Sequence, residues 1–423
     1  MLGLTQAFSA LYLASLLMQL GSTLLMTYLA LRLTAGGVAE FWGGAIMAAN
    51  ALGMVIGGKV GQVLIGRVGH IRTYVACSGI ICAAVLTHAF TEALLLWLLL
   101  RFVVGMAMMC QLMVVESWLN DCAQSDQRGR VLGIYMVSAY VGMMLGQLAL
   151  SIDGNLGLHA LLGVVIAFAL SQVPVALTRS THPAIPGSEP VDLRLFLQRV
   201  PQSLFTVLIS GMINGGFYGL SSIYASRQGL STVEVGQFMA LAIAAGLLAQ
   251  LPLGWLSDRL PRASLIRAVA VLLILTCLPL AFYHGLSFGV LLLFSACIGF
   301  LQFCLYPLGV ALANDNMEPR LRVSLAGLLL ATFGVGACIG PLLAGALMGH
   351  FGPSNLYLFF AISAGVLAVA VGQGRVTGEH LQDDAPLQHQ ATPNALACTT
   401  LAAVIEPAVS VEERVEEAPS QRL

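Results

Sequence analysis

Twelve times along this chain an apolar run of about twenty residues is closed off by a short polar or glycine-rich break. That recurrence constrains the fold more than any single motif. A helix rises about 1.5 Å per residue, so roughly twenty residues cross a hydrocarbon core of about 30 Å with every backbone N–H and C=O paired inside the segment. The runs lie near 8–30, 40–63, 73–90, 94–117, 131–151, 159–178, 201–223, 233–255, 265–284, 287–311, 323–347 and 354–373. Only 9% of the residues are charged and 58% are hydrophobic, whereas a soluble domain carries about 25% charged residues. The solvent is therefore lipid, and the expected fold class is an all-α membrane protein of twelve transmembrane helices.

An even number of spans puts both termini on one side, and the basic residues say which. Lys and Arg accumulate in cytoplasmic loops. With the N-terminus cytoplasmic, inside segments hold sixteen of the nineteen basic residues, the outside loops hold only Arg32 and Arg227, and Arg101 lies within a span. No charge precedes the first span, so it lacks the basic start of a cleaved signal peptide and reads as a retained helix. Most of the nine cysteines, Cys77, Cys82, Cys110, Cys277, Cys297, Cys304 and Cys338 among them, fall in spans without a C-x-x-C pair or a His cluster. They read as small apolar filler, and no metal or other cofactor is expected. No phosphate-cradling Gly-rich loop follows a strand pattern, so an ATP-driven pump has no support. The net charge of −1 gives no reason to expect nucleic acid as a partner.

Sliding the chain past itself exposes an internal repeat. At an offset of 194, Asn120 and Asp121 fall on Asn314 and Asp315, and Gly105 on Gly299; at 195, Ser15 meets Ser210, Gln19 meets Asn214, Gly21 meets Gly216 and Arg32 meets Arg227. The chain accordingly divides into an N-terminal six-helix bundle over 1–178, a polar, Pro-containing cytoplasmic linker over 179–200, a C-terminal six-helix bundle over 201–373 and a cytoplasmic tail over 374–423 expected to be disordered. Two repeated helical halves about an axis normal to the membrane are the layout of alternating-access transporters.

The loops sharpen that reading. After the eighth span, "GWLSDRLPR" resembles the G-x-L-x-D-R-x-G-R signature of the major facilitator superfamily, with Gly254, Asp258, Arg259 and Arg262 in place and Pro261 where the second Gly should be. After the second span, "QVLIGRVGHIR" is a weaker copy that keeps Arg67 and Gly69 but has Gly66 for the acid and His70 for the last Arg. Arg101 and Gly105 fit the family's R-x-x-x-G element, and Gly336, Gly340, Pro341 and Gly345 look like its Gly-Pro motif, here in the eleventh span. The fifth span reads Gly142, Gly146, Gln147, so the antiporter form of that motif is absent and the direction of transport stays open. Within the superfamily, "RVGHIR" and "ESWLND" look most like the YcaD-like group of bacterial inner-membrane permeases. The resemblance implies the major facilitator fold, two pseudo-symmetric six-helix bundles, over residues 1 to about 375.

It also implies that spans one, four, seven and ten line a central cavity. The first span carries Tyr12, Ser15, Gln19 and Ser22 on one helical face, and the seventh repeats this with Ser203, Thr206, Ser210, Asn214 and Ser221. Read functionally, Gln19, Asn214, Ser15 and Ser210, joined by Gln111, Gln302 and Tyr306, form a neutral hydrogen-bonding wall for a substrate; read blandly, they are the interhelical glue common in membrane helices. Arg101 either holds a carboxylate substrate or senses a coupling proton, or else it snorkels outward or binds backbone carbonyls. Fifteen residues on, about 22 Å along the same helix, Glu116 is too far to pair with it. Its depth matches the inner loops, so the expectation is an inner gate built from Glu116 with Arg67, Arg72, Arg128 and Arg130, and from Asp258, Arg259 and Arg262 in the other half.

The function expected is secondary active transport of a small organic solute by alternating access, with proton coupling left open, by a protein that is not an enzyme. A non-transporting membrane sensor or assembly protein on the same scaffold is the alternative. The expected partners are the small-molecule substrate, the lipid bilayer and, under that open option, protons. The chain is expected to act as a monomer in the bacterial cytoplasmic (inner) membrane, crossing it many times with both termini inside.

Overall fold

The computed structural model describes residues 8–122, 128–150, 156–177, 193–283, 285–317 and 321–372. Among these, thirteen α-helices and no strand are present. The first half contains α1 (Ser9–Ala35), α2 (Glu40–Val68), α3 (His70–Thr87), α4 (Leu94–Cys122), α5 (Arg128–Ala149) and α6 (Leu158–Ala176). A short α7 (Leu193–Arg199) leads to α8 (Pro201–Arg227), α9 (Thr232–Ser257), α10 (Arg262–Phe282), α11 (Phe288–Asp315), α12 (Arg322–Phe351) and α13 (Asn355–Ala370). Eleven of these helices are long and apolar enough to cross a membrane, and α13, at 16 residues, is the shorter twelfth.

Several helices run past the ends that hydropathy suggests. α4 continues through "ESWLND" to Cys122, and α11 reaches Asp315, because a helix need not stop where lipid stops and its polar last turn satisfies itself in the interface. The third span starts at His70 rather than near 73. Gly69, at φ +84, supplies the left-handed residue on which the α2 chain reverses directly into α3. At the start of α9, Ser231 and Glu234 form a capping box: the Glu234 N–H donates to the Ser231 hydroxyl at 3.3 Å, and the Ser231 N–H donates to the Glu234 carboxylate at 2.8 Å.

Packing obeys the repeat. The pairs α1–α5, α1–α6, α2–α4, α3–α4 and α3–α6 of one half recur as α8–α12, α8–α13, α9–α11, α10–α11 and α10–α13 of the other. Lipid tails are as apolar as leucine, so helix association here depends on close approach and buried hydrogen bonds. Gly105 of α4 lies against the Asn50 carbonyl of α2, where an added Cβ would stand 2.1 Å from the oxygen, and Gly299 of α11 repeats this against the Ala242 carbonyl of α9, also at 2.1 Å. Thr23 of α1 donates to the Met143 carbonyl at 3.0 Å and Thr27 donates to Gln147 Oε1 at 2.8 Å, tying α1 to α5. The two halves meet through α2–α12 and its counterpart α5–α9, with α1 and α2 also touching α8.

Candidate functional site

The polar stripes of α1 and α8 are buried, and the two helices touch each other. Ser15 and Gln19 are at most 1% exposed, as are Ser210 and Asn214. The Asn214 amide donates to the Ser210 carbonyl at 2.9 Å and to the Ser210 hydroxyl at 3.3 Å, one turn back, which orients the side chain and leaves Oδ1 without a partner. Ser15 Oγ and Gln19 Nε2 likewise have no hydrogen-bond partner, and Gln302 on α11, which packs on α8, has none for either side-chain atom. A buried polar group left unpaired costs about 1–3 kcal/mol. Such unpaired groups are costly for a closed core and suited to a site whose polar partners are exchanged.

An aromatic group that sequence reasoning missed joins α5, α8 and α11. Phe303, the neighbour of Gln302, sits 5.9 Å from Tyr140 of α5 and 5.9 Å from Tyr218 of α8, ring centre to ring centre, with Phe217 at 6.5 Å. Tyr140 belongs to one half and Phe303 to the other, so rings from both close the seam. Separate aromatics in different apolar runs carry no spacing signal, and only the fold brings them together.

Other expected wall residues are held elsewhere. The Gln111 amide donates to the Tyr74 carbonyl of α3 at 3.3 Å, within its own half. Tyr306 packs edge-on to Phe333 of α12 at 5.0 Å, in an apolar cluster with Val207, Val310 and Leu329.

Arg101 is only 1% exposed, so its guanidinium does not reach the protein surface. Together with Met26, Leu33, Ile46, Met47 and Gly219 it lines a small cavity between α1, α2 and α8. Its Nε has no hydrogen-bond partner, and among the described residues no acidic side chain pairs with it. Asp153, the one acid the sequence places near that depth, lies outside the described residues.

Of the expected gate, Glu116 is fully buried and accepts a hydrogen bond from the Tyr135 hydroxyl of α5 at 3.0 Å. Arg67, Arg72 and Arg130 are exposed at the arginine-rich ends of their helices. The side chain of Arg128 lies outside the described residues. In the second half Arg262 is buried, donates to the Ala311 carbonyl at 2.8 Å and pairs with Asp315, locking α10 to α11. Asp258 and Arg259 are exposed, and Arg259 lies 3.9 Å over the Trp255 ring.

The opposite face carries a contact that the sequence did not announce. Arg227, ending α8, pairs at 3.0 Å with Glu40, opening α2, and so joins the two halves directly. Its repeat partner Arg32 pairs with Glu92 at 3.1 Å inside its own half. Behind the Arg227 pair, Gly44 of α2 lies against the Pro341 carbonyl of α12, and Gly345 approaches the Glu40 carbonyl. The halves are therefore closed against each other on the face of Arg32 and Arg227. The signal available in advance was faint: an acid, Glu40, at the head of an otherwise neutral span.

A family model described as Major Facilitator Superfamily matches residues 11–327. Relatives include the Uncharacterized MFS-type transporter YcaD of Salmonella enteritidis and that of Salmonella typhi, each 29% identical over 349 residues, which is 82% of this chain and 90% of theirs. Among solved structures, a mutant form of the nucleoside transporter NupG superposes with a TM-score of 0.70 at 16% identity, covering 86% of this chain and 98% of that one. A bacterial homolog to the human lysosomal transporter Spinster, inward-facing and occupied, gives 0.67 at 18% identity, covering 87% and 93%.

Proposed function

The chain belongs to the major facilitator superfamily of membrane transporters, and on that premise we propose that it is a secondary active transporter moving a small hydroxylated or amide-bearing solute by alternating access across the bacterial inner membrane. Both termini are cytoplasmic in this reading, so the face of Arg32 and Arg227 is the outer one and the arginine-rich face is the inner one. The two bundles are the moving bodies, and the residues between them, 179–200, are the linker. The observation that carries the reading is a set of three buried, incompletely paired amides, Gln19, Asn214 and Gln302, on helices of both halves. Each amide offers both donor and acceptor, which suits a solute bearing hydroxyl or amide groups better than a purely apolar one. A solute bound there bridges the bundles, and rocking one bundle against the other exposes it to each side in turn.

The test uses purified protein and a panel of small hydroxylated and amide solutes, nucleosides included, screened by thermal shift. A ligand that binds the folded state raises Tm by mass action. For each hit, Gln19→Ala and Asn214→Ala weaken binding by about 1–2 kcal/mol per lost hydrogen bond while stability stays near wild type. If these changes instead lower Tm and leave affinity unchanged, the two amides are helix glue and the site lies elsewhere.

A further inference from the structure

We propose that the cavity at Arg101 is a site for one small anionic group, either a chloride ion or the carboxylate of a carried solute. An arginine keeps its charge at any accessible pH, so burial cannot be relieved by releasing a proton. The charge must meet water, a counter-charge or a ring of carbonyls. Arg101 lies about 10 Å from the start of α4 at Leu94, well inside the span, and its side chain is 1% exposed. Its Nε has no hydrogen-bond partner, and no acid among the described residues pairs with it. A buried cation without a partner is among the most costly arrangements a membrane protein can hold, and such residues commonly mark ligand or ion paths.

The guanidinium borders a small cavity with room for about one water-sized guest. The rest of its lining is apolar: Met26, Leu29, Ala30 and Leu33 of α1, Gly43, Ile46 and Met47 of α2, and Gly219 of α8. Such walls offer no competing acceptor, and the flexible thioethers adapt to a slightly larger guest. They also refuse a cation, which the arginine repels, and a neutral polar group gains less from the arginine than an anion does. Both halves contribute walls, and the cavity lies behind the closed contacts of Glu40 and Gly44. An anion seated there neutralises the buried charge in the closed state and exchanges when the outer contacts part. That route of entry rests on the alternating-access reading; the site itself does not.

The experiment titrates purified protein with sodium chloride, sodium acetate and sodium gluconate at equal ionic strength, reading Tm with no solute present. Gluconate is the anion too large for the cavity. Chloride, acetate or both should raise the wild-type Tm above the gluconate value, saturably and by about 1.5 °C at ten times the dissociation constant. A response to chloride alone identifies an inorganic ion, and a stronger response to acetate identifies a carboxylate. Arg101→Lys should keep the response and Arg101→Gln should abolish it. If Arg101→Gln does not fold, Ala30→Leu fills the cavity with the arginine retained and should abolish it equally. Identical curves for all three anions, or a response that survives both variants, overturn the proposal. Because no solute is present, a negative result here leaves the Gln19 and Asn214 measurements standing, and failure of those leaves this one standing.

Discussion

The closed contact between the halves on the face of Arg227 includes a pair that can be removed by deleting one charge. In Glu40→Gln the carboxylate facing Arg227 at 3.0 Å becomes a neutral amide of the same shape. The Arg227 and Glu40 side chains are 36% and 15% exposed, so the pair is neither a free surface contact nor a desolvated one. Exposed pairs are worth about 0–1 kcal/mol, and the shelter of Glu40 places this one near the upper end. Because the pair joins the halves, the whole of that roughly 1 kcal/mol biases closure, and losing it multiplies the outer-open population about fivefold. A cysteine at Met47, which lines the cavity behind the contact and is 6% exposed, reports opening through its rate of reaction with an impermeant maleimide added outside. The rate should rise about fivefold in Glu40→Gln and return toward wild type when the charges are exchanged as Glu40→Arg with Arg227→Glu, a double-mutant cycle that isolates the pairwise energy. An unchanged rate in Glu40→Gln, or a charge exchange that labels as fast as the single variant, would refute the reasoning.

On the arginine-rich face, Glu116→Gln replaces the carboxyl that accepts from Tyr135 with an amide of the same shape, weakening a buried hydrogen bond worth about 0.5–1.5 kcal/mol. Labelling of cavity cysteines from the cytoplasmic side should rise, and a fall or no change removes Glu116 from the gate. For the scaffold, Gly105→Val and Gly299→Val each place a Cβ where a carbonyl oxygen stands 2.1 Å away. Both should cost about 3 kcal/mol or more and lower Tm to a similar extent, and a wild-type Tm in either would contradict the packing described.

The twelve spans were legible because lipid leaves so few options: an apolar run of that length has only a helix to form. The repeat was legible because matching glycines serve matching helix pairs. Less was visible where function depends on which way a side chain turns. Gln111 and Gln302 look alike in sequence, each an amide inside an apolar run, yet Gln111 reaches back to α3 while Gln302 has neither polar atom paired. The contacts of Phe303 with Tyr140 and Tyr218, and of Arg227 with Glu40, unite residues distant in the chain and belong to no motif. Periodicity along one helix reports which residues share a face; it does not report which neighbour that face meets.

The repeat separates what holds the scaffold from what acts on a solute. At the offset of 194 that superposes Gly105 on Gly299, Arg101 falls on Ser295, Glu116 on Val310 and Gln302 on Met108. The glycines keep their contacts in both halves, each against a carbonyl of the neighbouring helix. Arg101, Glu116 and Gln302 do not recur. Ser295 spends its hydroxyl on the Phe238 carbonyl at 2.6 Å, a local hydrogen bond in place of a buried charge, and Val310 lies in an apolar cluster where Glu116 meets Tyr135. A structural need imposed by the fold recurs wherever the fold recurs. A need imposed by a ligand or a gate is under no such rule: it keeps the repeated amide pair Gln19 and Asn214, and it leaves Arg101, Glu116 and Gln302 without counterparts. Arg101, Glu116 and Gln302 lie on the unrepeated side of that division, which is where the anion titration and the gate variants put their weight.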